Sequence, residues 1–290
     1  MASQSFAERD GSIWMNGEIV PWSDAKVHML THAMHYGSAV FEGQRAYNGK
    51  IFKLKEHTER LFASADMLDM EVPFSQEQIN DACNQLLELN NLTDAYCRPI
   101  IWRGSKMMGV SAQEAGINVG VAVWEWPSYF SEEARLKGLR LCISDWRRPA
   151  PDTAPVHAKA AGLYMICTLS KHKAEAAGYD DALMFDYRGQ IAEATGANIF
   201  FVKDGVIHTP KADCFLDGIT RRTVMDIARG MGIEVIERAI MPNEMEGFEQ
   251  AFLTGTAAEV SPLSEIGEFR FEVGEITKNL MHAYDAIVRQ

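Results

Sequence analysis

The chain has 290 residues, 47% of them apolar and 23% charged, the balance of a globular protein with one large or two medium cores. Its formal net charge of -12 and pI near 5.2 exclude the clustered Lys and Arg surface that nucleic-acid phosphates require. Five scattered cysteines (Cys83, Cys97, Cys142, Cys167 and Cys214), none spaced Cys-x-x-Cys, indicate neither a disulfide framework nor a zinc knuckle and fit a reducing cytosol. Residues 1–10 lack the apolar core of a signal peptide, and no later stretch has bilayer-spanning apolar length, so the expectation is a cytoplasmic chain that is neither exported nor membrane-embedded.

In chain order, Asn16-Gly17 and Asn48-Gly49 each sit between short apolar runs (13–15 with 19–20, and 46–47 with 51–52) and predict two hairpins, because Asn-Gly accepts the positive φ angles of a type I' turn. Leu61, Phe62, Ala65 and Leu68 recur on one face of a helix predicted over residues 56–70. Ser75 is the capping residue for a second helix over 76–89. Two β-like runs, 95–102 and 117–126, complete a small α+β domain. Residues 127–138 lose the β pattern and carry turn residues, so they are the expected interdomain loop, with domains at 1–126 and 139–290. The second domain reads as a strand over 139–146, a helix over 162–177 closed by Gly178, and a strand over 182–186. A hairpin about Asp204-Gly205, a helix over 220–231, a strand over 233–240, a strand-like run over 251–254 and a helix over 276–289 follow. No internal repeat or low-complexity segment is present.

The candidate chemistry lies between those elements. Lys159 is flanked by Ala158, Ala160, Ala161 and Gly162, small residues that leave room beside the amine for a bulky ring. Glu193 follows one element later. An amine to hold an aldehyde and a carboxylate to keep a pyridine nitrogen protonated are the pair that pyridoxal phosphate chemistry needs. Most lysines are solvated surface charges, from which these small neighbours set Lys159 apart, whereas Glu193 taken locally reads as a solvated turn residue after strand 182–186. The surrounding motifs, taken in order, decide otherwise. These are residues 35–43 (His-Tyr-Gly-Ser-Ala-Val-Phe-Glu-Gly), 56–61 (Glu-His-Thr-Glu-Arg-Leu), 96–99 (Tyr-Cys-Arg-Pro), the Lys159 and Glu193 segments, 218–221 (Gly-Ile-Thr-Arg) and 254–259 (Thr-Gly-Thr-Ala-Ala-Glu).

This set resembles the branched-chain amino acid aminotransferases of the fold-type IV, class IV pyridoxal phosphate-dependent family, from about Ile13 to the C-terminus. The resemblance implies a two-domain α+β fold like that of the D-amino acid aminotransferases, with a small N-terminal α/β domain and a larger C-terminal β-barrel-like domain carrying helices. It implies pyridoxal 5'-phosphate as cofactor, with Lys159 as its covalent anchor and the catalytic base, a role that needs the neutral amine. Glu193 corresponds to the partner of the ring nitrogen and Tyr164 to the contact of the ring hydroxyl oxygen. Arg60, Ile219, Thr220 and Thr256 correspond to phosphate ligands, the N–H groups of Ile219 and Thr220 lying where a loop turns into a helix.

For substrate, the resemblance implies a pocket of Tyr36, Phe41, Tyr96, Arg98 and Tyr129, with the Thr256-Ala257 turn donating to the α-carboxylate. Arg98, held by Tyr96, would meet the distal carboxylate of glutamate, and Tyr36 and Phe41 would receive leucine, isoleucine or valine. The implied reaction passes the amino group of these substrates to 2-oxoglutarate by a ping-pong route. Residues 108–110 (Met-Gly-Val) resemble a loop that closes the pocket of a neighbouring subunit, which implies a homodimer or larger homo-oligomer. An (R)-selective amine transaminase, a D-amino acid transaminase or an aminodeoxychorismate lyase would share the cofactor motifs, but the Tyr96-x-Arg98 pair leans away from them. A non-catalytic cofactor carrier would need neither Arg98 nor the Thr256-Ala257 turn. His28, His32 and His35 have helical spacing but no partnered carboxylate pattern, so no metal site is expected. Gly230-Met-Gly232 lacks the third glycine of a dinucleotide fingerprint and reads as a helix stop.

Overall fold

The computed structural model describes residues 5–126 and 132–290. The chain divides into two compact units, Met1–Pro127 with Ala158–Gly162, and Ser128–His157 with Leu163–Gln290. The short stretch carrying Lys159 therefore packs with the first unit.

In the first unit, β1 (Ser12–Met15) and β2 (Glu18–Pro21) form the Asn16-Gly17 hairpin, with φ of 52° and 95° at the two turn residues. Next come α1 (His32–Tyr36), β3 (Ala39–Phe41), β4 (Gln44–Tyr47) and β5 (Lys50–Ile51), the last two joined by Asn48-Gly49, whose φ angles are 51° and 80°. Both dipeptides thus occupy the left-handed pair of positions that a type I' turn demands. Helices α2 (Leu54–Met67) and α3 (Gln76–Leu89) follow, then β6 (Ala95–Arg103) and β7 (Ile117–Glu125). Ser75 accepts from the Gln78 N–H while the Gln78 side chain accepts from the Ser75 N–H, a reciprocal cap that satisfies two otherwise unpaired donors.

The sheet runs β2-β1-β7-β6-β4-β5, every pairing antiparallel, with β3 also on β6. Strand β6 carries β7 along one edge. On the other, β4 pairs with residues 95–97 and β3 with 100–102. Glu42 and Gly43 span the gap, opposite Arg98 and Pro99, and the Glu42 N–H closes it by donating to the Pro99 carbonyl. Leu61 of α2 with Ile79 and Leu86 of α3, all fully buried, belong to the apolar core of this unit. Each contributes about 1.5–3 kcal/mol by leaving water.

The second unit begins with α4 (Glu132–Leu136) and β8 (Leu139–Ile143). Helix α4 falls inside the stretch expected to be loop, and β8 stops three residues short of its expected end. There Ser144 Oγ accepts from the Trp146 N–H and donates to the Trp146 carbonyl, which turns the chain out of the sheet. Then come α5 (Tyr164–Ala176), β9 (Asp181–Phe185), β10 (Ile191–Ala194), β11 (Asn198–Lys203), β12 (Val206–Pro210), α6 (Ile219–Gly230) and β13 (Val235–Arg238). Finally β14 (Gln250–Gly255), β15 (Glu259–Ile266), β16 (Phe269–Arg270) and α7 (Glu275–Val288) end the chain.

The strand order is β10-β9-β8-β15-β14-β11-β12-β13, with β16 on β15, and β10 pairs back onto β11 at Glu193–Asn198. That last pairing closes β10, β9, β8, β15, β14 and β11 into a barrel-like ring, around a core that includes Leu141, Leu183, Ile199, Phe201, Leu253 and Leu263. Strands β10 and β15 were not anticipated from the sequence. Ile191–Ala194 is too short and, with Glu193 in it, too polar to announce a strand. Among the described residues no helix is long and apolar enough to cross a membrane. All five cysteines are buried and unbridged.

Candidate active site

In the first unit the site grows from the sheet gap. With any side chain at residue 43, the Cβ would collide with Tyr96 Oη, so glycine there is what lets the Tyr96 phenol occupy its place. Tyr96 packs against Trp124 and Trp126, with ring centroids 5.0 and 5.1 Å away, and its Oη accepts from Arg98 Nη2 at 3.2 Å. The Arg98 guanidinium lies over the Phe41 ring at 4.7 Å, and Lys159 Nζ lies 5.3 Å from the same ring. Among the described residues Arg98 Nε is buried without a hydrogen-bond partner. The Lys159 backbone is held on both sides: its N–H donates to Ser64 Oγ of α2, and its carbonyl accepts from the Phe41 N–H of β3.

Helix α2 turns one face towards this strip, with His57, Arg60 and Ser64 spaced three and four residues apart. Glu42 is fully buried and receives Arg60 Nε at 2.6 Å, Arg60 Nη2 at 2.9 Å and His57 Nδ1 at 2.7 Å. Burial opposes the Glu42 charge, but Arg60 and His57 outweigh it and hold the carboxyl well below the usual carboxylate range. Burial likewise depresses His57, more than Glu42 raises it, so the ring is neutral at neutral pH. Tyr36 ends α1, exposed, stacked on His32 at 4.5 Å. His32 Nε2 donates to the Gly109 carbonyl at 2.9 Å and its Nδ1 pairs with Ser38 Oγ at 2.7 Å. His28 Nδ1 accepts from the Leu30 N–H, and His35 Nε2 donates to the Met29 carbonyl, so the three histidines have separate partners. Tyr129 lies outside the described residues.

In the second unit Glu193 stands at the ring closure, on a strand whose register against β9 shifts between Ile191 and Glu193. Such a bulge re-aims a side chain, which is why simple alternation does not find it. Glu193 is 9% exposed; its Oε2 accepts from Asn198 Nδ2 at 3.3 Å and its Oε1 lies 3.3 Å from Arg148 Nε, an ion pair off the hydrogen-bond axis. Burial works against the Arg148 charge, yet Glu193, Cys167 and Tyr164 more than offset it and raise its pKa above the ordinary value. Tyr164 opens α5. Asn198 also donates to the Leu216 carbonyl at 3.0 Å, and its amide oxygen occupies the space that any side chain at Gly218 would need. Gly218 caps α6 with no side-chain hydrogen bond across the first turn, so buried Ile219 and Thr220 open an uncapped helix N-terminus. Thr256 and Ala257 lie in the three-residue turn between β14 and β15, closed by the pair Gly255–Glu259.

A class IV amino-transferase family model matches residues 39–266. The chain belongs to the class IV aminotransferases. Within that family this enzyme groups with the branched-chain aminotransferases: it is 47% identical to a probable branched-chain-amino-acid aminotransferase of Rickettsia bellii, over 96% of each chain. Its fold is that of a branched-chain amino acid aminotransferase from T.th. with pyridoxamine 5'-phosphate, with a TM-score of 0.94 and 41% identity over 97% of this chain and 96% of the other. The same T.th. enzyme complexed with N-(5'-phosphopyridoxyl)-L-glutamate matches with a TM-score of 0.92 and 40% identity over 97% and 95%. Sequence reasoning gave no role to Glu42, His57, Arg148 or Asn198 of this aminotransferase. Glu42, His57 and Asn198 stood inside the motifs, whereas only the fold brings Arg148 to Glu193.

Proposed function

We propose that this aminotransferase moves the amino group of L-leucine, L-isoleucine or L-valine to 2-oxoglutarate, with pyridoxal 5'-phosphate as cofactor and the two substrates taking turns in a ping-pong sequence. When bound, the cofactor supplies an aldehyde that captures the substrate amine and an electron-poor ring that draws off the electron pair left at the α-carbon. The donor set suits it. A buried carboxylate, Glu193, is oriented by Asn198 and Arg148, and the uncapped N-terminus of α6 offers N–H groups to a dianion in the same unit. In this reading Ile219, Thr220, Arg60 and Thr256 hold the phosphate, Tyr164 donates to the ring hydroxyl oxygen, and Glu193 keeps the ring nitrogen protonated. Lys159 Nζ anchors the aldehyde and, once released, takes the proton from the substrate α-carbon and returns it on the other side of the exchange.

The observation that carries the substrate assignment is Arg98. A half-buried guanidinium whose buried Nε has no hydrogen-bond partner among the described residues, steered by Tyr96 and stacked on Phe41, is suited to a carboxylate, and the aromatic rings around it suit an aliphatic side chain. In this reading Tyr36, Tyr129 and the N–H groups of the Thr256-Ala257 turn are the remaining substrate contacts. The apolar surface at Met29, Met34 and Val110, the last 87% exposed, supports a homodimer or larger homo-oligomer, and five buried thiols fit the cytosol.

The test is substrate-dependent bleaching of the bound cofactor's visible band, read for L-leucine, L-glutamate, D-alanine and an (R)-amine. L-Leucine and L-glutamate should bleach it and the other two should not. Arg98→Gln should cost at least tenfold in kcat/KM for glutamate while leaving leucine within about threefold, since only glutamate carries the distal charge. Bleaching by D-alanine alone, or equal losses for both substrates, would remove the assignment.

A further inference from the structure

The geometry points to Arg135 as a positioning residue for the Thr256–Ala258 turn, acting through Glu259. The inference rests on the reading of that turn as the α-carboxylate site and adds a residue to which no role has been assigned. Glu259 closes the hairpin opposite Gly255, is buried, and has φ of 53°. Glycine adopts such a left-handed conformation without strain. Here a glutamate does, and a non-glycine residue keeps such a conformation only where its surroundings impose it.

Arg135 of α4 supplies that imposition. Its Nη1 donates to Glu259 Oε2 at 3.3 Å and its Nη2 donates to Asp285 Oδ2 of α7 at 3.1 Å, so one guanidinium ties the turn to a helix on either side. Its Nε is buried without a hydrogen-bond partner among the described residues, so the two Nη contacts are what hold the guanidinium. Three residues on from Arg135, the chain leaving α4 is held to β15, where Ser264 Oγ donates to the Gly138 carbonyl at 3.1 Å. The other face of the turn is pinned by Ser261 Oγ, which donates to the Ala258 carbonyl at 2.6 Å. The N–H groups of Thr256 and Ala257 therefore stand between two restraints, only one of which is local in sequence.

An α-carboxylate is common to every amino acid and 2-oxo acid the enzyme takes. Loosening the turn must therefore weaken all of them alike, whereas a disturbed side-chain pocket would separate leucine from glutamate. Arg135→Ala should raise KM for leucine and for 2-oxoglutarate by the same factor, about three- to tenfold, with kcat within about twofold. Arg135→Lys should recover part of the loss. Hydrogen exchange at residues 256–258 should accelerate in Arg135→Ala even without substrate. In Arg135→Ala/Glu259→Gly, where glycine adopts the left-handed angle unaided, KM should return towards the parent value.

Unchanged KM and unchanged exchange in Arg135→Ala overturn the inference, as does a KM increase confined to one substrate. Ala257→Pro, which removes an N–H group of the turn, separates this from the reading beneath it. A raised KM in Ala257→Pro with none in Arg135→Ala sinks only the role of Arg135. No change in either sinks the turn as the carboxylate site.

Discussion

Glu42 is a fully buried carboxylate that takes two N–H groups of Arg60 and one of His57. Its function is to aim a guanidinium. A long arginine side chain on a helix surface samples many rotamers, and two charge-assisted bonds to one immobile carboxylate leave it few. Glu42→Gln keeps the shape but gives up the charge, so if Arg60 serves the phosphate, pyridoxal 5'-phosphate should bind about ten- to hundredfold more weakly, read by fluorescence titration of the apoprotein. Affinity equal to the parent's would mean that Arg60 is placed without Glu42. The motif containing Glu42 was visible in the sequence, but its task was not, because nothing in a linear string brings residue 42 to residues 57 and 60.

At the scale of elements, the junction of β11 and α6 sets the candidate site residues of the second unit. Gly218 has φ of −62°, an ordinary angle for any residue, so its only need for glycine is the Asn198 amide oxygen that fills the space beside its Cα. Asn198 in turn donates to Glu193 and to the Leu216 carbonyl. Gly218→Ala should therefore displace Asn198, disturb Glu193, and weaken cofactor binding by about tenfold without a comparable loss of thermal stability. A cofactor titration beside a melting curve decides it, and unchanged affinity would leave the glycine without this function.

Elements were legible where local chemistry dominates. Asn-Gly turns, the Ser75 cap and the amphipathic faces of α2, α3, α6 and α7 all announced themselves. Strands β10 and β15, and helix α4 in the expected loop, did not. Strand β10 is defined by a bulge and by ring closure, and α4 by its bonds to Glu259 and Asp285. Both are consequences of distant parts of the chain.

For the molecule as a whole, the acidic balance says little about substrate, whereas the buried His57–Glu42 pair says something definite about pH. His57 is depressed in the folded chain because burial outweighs the pull of Glu42. The unfolded chain therefore takes up this proton first as pH falls. Stability from this source is fully present above the unfolded value of about 6.5 and is lost as pH falls below it. Glu42, also depressed, has the same sign at lower pH, its contribution being lost as pH falls from the ordinary carboxylate range towards its folded value. The melting temperature should fall steadily from pH 7 to pH 4, and His57→Gln should flatten the part above pH 5. A His57→Gln profile parallel to the parent's would place the acid sensitivity elsewhere. The class and the α+β character of the fold were legible because seven separated motifs occur in one order. The pairing of β10 with β11 was not, since it joins neighbours in sequence through a strand that has no β signature of its own.

The vacant position at Gly43 and the hydroxyl of Tyr96 occupy one another's space, and Arg98 hangs from that hydroxyl. The three positions should therefore tolerate change only together: a larger residue at 43 evicts the phenol, and a phenylalanine at 96 leaves the arginine without its hydroxyl partner while the glycine loses its purpose. A library built to change acceptor preference should therefore vary this triplet as one unit, and paired substitutions within it should retain activity that the single ones lose.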